Sequence, residues 1–108
     1  MPSTSGWAKM TDIGMPKYHL VPIAATGAVK LAPGSVMAIE VADVGNDCTV
    51  ALDDSTAGGG TTLITVTSAQ EQGGKFRDYS EMGGIIFGTG IYATVTSAGT
   101  PWVGVWIA

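Results

Sequence analysis

One histidine and one cysteine stand in a chain of 108 residues, and each scarcity closes off a class of chemistry. A lone cysteine, Cys48, forms no disulfide within its own chain, so folding does not depend on an oxidising compartment. A Ser-His-Asp or Cys-His arrangement would have to use His19, which lies in the apolar run Tyr18-His19-Leu20. Asp47 precedes Cys48, but no nucleophile motif surrounds it. Cys48 therefore reads as a small buried hydrophobe, and His19 as a strand histidine satisfied by a neighbour. Lysine and arginine number five, scattered as Lys9, Lys17, Lys30, Lys75 and Arg77. That leaves no basic stripe for nucleic acid and no polybasic cluster for an anionic membrane. No apolar run approaches the roughly 18 residues of a membrane-spanning helix. The first ten residues, MPSTSGWAKM, lack the apolar centre of an export signal. Charged residues make up 13% of the chain, against about 25% in an ordinary soluble domain. Such a surface resists association poorly, so part of it is expected to be covered by another chain.

What is present is alternation. Around turn signals, short stretches switch between apolar and polar residues with period two, the pattern of a half-buried strand. Lys17–Ala25 is the first, and Pro22 places it at a sheet edge or a bulge, because proline cannot donate to a ladder. Ala28–Ala32, Ser35–Asp43, Cys48–Leu52 and Thr61–Thr67 follow, separated by Thr26-Gly27, Pro33-Gly34, Gly45-Asn46-Asp47 and the run 53–60, DDSTAGGG. That run, with three consecutive glycines, reads as a mobile loop. Along Ser35–Asp43, strict alternation puts Met37, Ile39 and Val41 on one face and Val36, Ala38 and Glu40 on the other. Leu63 faces away from Ile64 and Val66. Ser68–Met82 holds five of the fourteen charged residues and reads as a surface loop, with Phe76 and Tyr79 as pins to the body. Residues 1–15 have no period and read as an extended N-terminal arm, followed by a single β-domain over 16–108. About seven or eight strands with a turn signal every eight to twelve residues fit an all-β antiparallel sandwich or barrel.

The last twenty-six residues, Gly83–Ala108, organise the rest. Ile91, Ala93 and Val95 alternate with Tyr92, Thr94 and Thr96. After the turn Ser97–Pro101, Val103, Val105 and Ile107 alternate with Trp102, Gly104 and Trp106. The expectation is a hairpin with a five-residue loop. Its final strand has no charged or hydroxyl side chain, and a strand apolar on both faces must be covered twice. The aliphatic face suits the interior of a sandwich. Trp102 and Trp106 then await a second contact, either the Ser68–Met82 loop or a neighbouring subunit. Trp7 in the arm is the third candidate interface residue, since tryptophan favours interface hot spots.

Candidate sites fail on specifics. Asp43, Asp47, Asp53 and Asp54 flank one strand, but the run 43–47 does not match a calcium loop, and these acids read as solvated turn residues. Gly88-Thr89-Gly90 invites a phosphate-loop reading. No lysine-threonine ending follows, and a strand rather than a helix comes next. The glycines therefore read as turns and bulges. No catalytic residue, cofactor or metal is expected, and a small hydrolase has no motif in its favour.

The C-terminal quarter resembles a recurring ending of small virion proteins of tailed phages. Gly84, Ile85 and Phe87 form one step, Gly90, Ile91 and Tyr92 another, and Val103, Val105 and Trp106 an alternating final strand. Trp106, where tyrosine is the commoner residue, and the longer turn at Ser97–Pro101 depart from that ending. The resemblance implies an all-β, non-enzymatic structural protein, a capsid cement or decoration protein, and often a trimer. It implies partners in further copies of itself and in a major capsid or other virion protein, with assembly in the host cytoplasm. The alternative is a small carbohydrate- or receptor-binding module of a fibre or spike, using Trp102, Trp106 or Tyr92.

Overall fold

The computed structural model describes residues 18–42, 46–69 and 74–108. The arm, with Trp7, lies outside them. Nine strands make up the described chain: β1 His19–Ile23, β2 Gly27–Lys30, β3 Gly34–Ala42, β4 Cys48–Asp54, β5 Thr61–Ser68, β6 Lys75–Asp78, β7 Ile85–Phe87, β8 Ile91–Ser97 and β9 Trp102–Ile107. They form two antiparallel sheets packed face to face. The first runs β1-β9-β3-β6, with β7 also pairing β3; the second runs β2-β8-β4-β5. The expected sandwich is present. Pro22 sits on β1, an edge strand of the first sheet, where a missing N–H costs no ladder bond.

The chain crosses between sheets at almost every turn. Of the strands consecutive in sequence, β4 and β5 pair with one another. This corrects the hairpin expected at the C-terminus: β8 pairs β2 and β4, whereas β9 pairs β1 and β3. Ser97–Pro101 is an arch from one sheet to the other, closed by buried Pro101. The reason lies in β9 itself. A strand apolar on both faces belongs inside a sheet, and pairing with β1 and β3 on its two sides puts it there.

The inner faces supply the core. Val103, Val105 and Ile107 of β9 meet Val36, Ile39 and Val41 of β3, Cys48, Val50 and Leu52 of β4, Ile64 and Val66 of β5, and Ile91 and Ala93 of β8, with Phe87 fully buried among them. Each valine, leucine, isoleucine or phenylalanine among them contributes roughly 1.5–3 kcal/mol by leaving water. The aliphatic face of β9 therefore lies inside, as its alternation predicts. The strict alternation along β3 does not hold. Val36 opposes Ile107 and Ala38 opposes Trp106, so Met37 is an extra residue in the ladder. That bulge returns Val36 to the same face as Ile39 and Val41.

Ser68–Met82 is also more ordered than a loop. It contains β6 and a short 3-10 turn, Ser80–Met82, between β6 and β7. The Tyr79 N–H donates to the Met37 carbonyl at 2.8 Å, which bonds the turn to the bulge. Gly83 and Gly84 take φ of 84° and 89°, in the left-handed region. A Cβ on Gly84 would lie 2.6 Å from the Met37 sulphur, so turn and bulge require this glycine. The run 53–60 is shorter as a loop than expected, because β4 continues through Asp54. The remainder is tied by the Ser55 hydroxyl, which accepts from the Ala57 N–H and donates to the Gly58 carbonyl.

Candidate interaction surface

Residues directly opposite in an antiparallel ladder share a face. Leu20 opposes Trp106 and Pro22 opposes Gly104. On the other side of β9, Ala38, Glu40 and Ala42 oppose Trp106, Gly104 and Trp102. Phe76 opposes Glu40, and Asp78 opposes Ala38. Alternation along β7 turns Ile86 the same way, opposite to buried Phe87. The outer face of the first sheet is therefore built of Leu20, Trp102, Trp106, Phe76 and Ile86 around small residues, with two carboxylates among them.

Gly104 makes the arrangement possible. A Cβ there would lie 2.4 Å from the Trp102 ring and 3.1 Å from a Leu20 methyl, so the indole of Trp102 lies across the glycine. Trp106 is half-buried and meets Phe76 edge to face, with ring centroids 5.9 Å apart at 77°. Its cover thus includes the Ser68–Met82 segment of its own chain. The face stays open nonetheless: Leu20 and Trp102 are each 40% exposed, Phe76 54% and Ile86 74%. The outer face of the second sheet is different in kind. Thr49 opposes Thr67 and Thr96, and Ala51 opposes Thr65 and Thr94, with the Thr49 and Thr67 hydroxyls 3.2 Å apart. One side of the sandwich is aromatic and aliphatic; the other is mainly a threonine surface, with Leu63 and Tyr92 toward one end.

The glycine-rich turn does bind an anion, but the anion belongs to the chain. The Asp54 carboxylate accepts N–H donors from Gly88 at 3.1 Å, Thr89 at 2.7 Å and Gly90 at 3.3 Å. The Thr89 bond, joined by those from Gly88 and Gly90, holds this carboxyl below its ordinary value against an opposing cost of desolvation. Asp53 is buried and accepts from the Thr62 hydroxyl at 2.7 Å. The reading of Asp53 and Asp54 as solvated turn residues is thereby corrected: β4 carries both, and each is engaged. Their partners lie at the chain's far turn and on β5, so no local pattern announces them. Asp43 lies outside the described residues, and Asp47 is exposed.

His19 is exposed on the edge strand β1, whereas Cys48 is fully buried in the core. The fold does not bring them together. Among the described residues no cluster of three His, Cys, Asp or Glu side chains could hold a metal. An open depression of 370 Å³ lies between the turn Ala24–Thr26 and the arch. The Thr26 hydroxyl in it is already bonded to the Val95 N–H at 2.9 Å and carbonyl at 3.4 Å. No family model, curated protein or solved structure matches the chain.

Proposed function

We propose that this chain is a non-enzymatic structural subunit of a tailed-phage virion, which associates with further copies of itself and binds the particle surface as a cement or decoration protein. One observation carries the reading: Trp102, laid across Gly104 and 40% exposed, anchors an aromatic face that the described residues leave uncovered. Large exposed side chains gathered on one face mark a contact surface, and aromatic anchors supply most of the affinity at such contacts. The low charge of the chain and its C-terminal ending support the same reading. The occupant of the face is a virion protein, the major capsid protein or a neighbour of it. Cryo-electron microscopy of the particle tests this, with density for the sandwich expected on the surface and the Trp102 face turned toward the shell. The same tryptophan also suits stacking on a sugar ring. A strict monomer that is retained on a glycan array and absent from particles contradicts the proposal and favours the fibre or spike module.

A further inference from the structure

Each sheet ends in open edges, and they are not equivalent. An exposed edge offers unpaired N–H and C=O groups to any passing strand, and proteins blunt such edges with charge, proline, short length or bulges. In the first sheet β1 carries Pro22, β6 is four residues long with Lys75, Arg77 and Asp78 among them, and β7, which among the described strands pairs only β3, is three residues long. In the second sheet β2 is four residues long, has an irregular register before Lys30 and carries that charge. The remaining edge, β5, has none of this over most of its length. It is eight residues, TTLITVTS, without charge or proline. Its one irregularity falls near Leu63, leaving Ile64–Ser68 in regular register with β4. Thr65 and Thr67 are exposed, and no described strand pairs the far side of β5.

We infer that β5 is a self-pairing strand, joining antiparallel to β5 of a second copy across a two-fold axis. This deepens the proposed function and rests on its self-association. The absence of charge selects the partner. A two-fold axis through a strand brings its side chains close to their own copies, and like charges opposite one another are destabilising. β5 is the long edge on which that repulsion is nil. The product is one eight-stranded sheet with a continuous threonine surface. Because the axis stands perpendicular to that sheet, both aromatic faces point the same way, away from the threonines. Two Trp102 faces then meet one particle surface together, and the second contact becomes intramolecular once the first has formed.

The test combines sedimentation equilibrium with hydrogen exchange on the full chain. Wild-type protein is expected to dimerise with rising concentration, with β5 amides gaining protection as it does. Thr65→Lys with Thr67→Lys should keep the melting temperature and weaken dimerisation by at least about tenfold, since like charges then face across the axis. Mixing that variant with Thr65→Glu/Thr67→Glu should restore a mixed dimer, which a merely damaged fold would not. Trp102→Ala should leave the dimer intact while reducing particle binding, so the two readings fail separately. A monomer at all concentrations, or β5 amides that exchange alike in dilute and concentrated protein, overturns the inference. So does a Lys variant that associates as the wild type does.

Discussion

Asp54 ties the end of β4 to the turn before β8, and its protonation weakens that tie. Its carboxyl is held low chiefly by the Thr89 N–H, and Asp78 is held low by the Ser80 hydroxyl and then its N–H. In both cases the folded value lies below the ordinary 3.8. The unfolded chain therefore takes up protons first as pH falls, and the stabilisation is complete above the ordinary value and lost as pH drops through the folded one. Thermal melts should be level from neutral pH to about pH 5 and fall below it. Asp54→Asn should flatten part of that fall; an unchanged acid slope would show that the turn does not depend on the charge. Ser68 is the converse case, a fully buried hydroxyl whose oxygen has no hydrogen-bond partner among the described residues. Leaving such a group unmade costs about 1–3 kcal/mol, so Ser68→Ala should equal or exceed the wild type in denaturant midpoint. A loss beyond about 1 kcal/mol would mean that the hydroxyl is satisfied in solution.

Strands and their faces were largely legible at the scale of the element, but their partners were not. Period two in Cys48–Leu52 and Trp102–Ile107 identifies which side chains enter the core, because that property is local to a strand. Pairing is not local. The turn residues of Ser97–Pro101 serve an arch between sheets as well as a hairpin, so β8 and β9 looked like neighbours. The bulge at Met37 left no mark in an apolar run, and β6 hid behind three charges in four residues. With β6 hidden, the edge-to-face contact of Phe76 with Trp106 could not be specified, although the Trp102-Gly104-Trp106 spacing already pointed to a special face. Two substitutions test these elements. Val105→Ala removes buried methyl groups from the centre of the first sheet and should cost roughly 2–3 kcal/mol of unfolding free energy. Gly84→Ala combines a left-handed φ with contact on Met37 and should cost more than about 1 kcal/mol. A neutral Gly84→Ala would mean that the turn between β6 and β7 rearranges freely.

The whole molecule has two unlike outer surfaces, one threonine-rich and one aromatic, on a chain with few charges to keep either apart from a partner. That asymmetry supports reading it as a component of a larger assembly, with Trp102 as the anchor of the aromatic side. Trp102 separates folding from binding. Partly exposed and lying over Gly104 rather than in the core, it contributes less to folding than a buried tryptophan, whose truncation costs about 3–5 kcal/mol. As an interface anchor its loss should cost about 2 kcal/mol or more of binding, roughly thirtyfold. The decisive measurement is co-sedimentation of wild-type and Trp102→Ala protein with virus particles assembled without it, beside thermal melts of both. The variant should melt close to the wild type yet need roughly thirtyfold more protein to saturate the particles. Equal saturation of the particles by both proteins would contradict it.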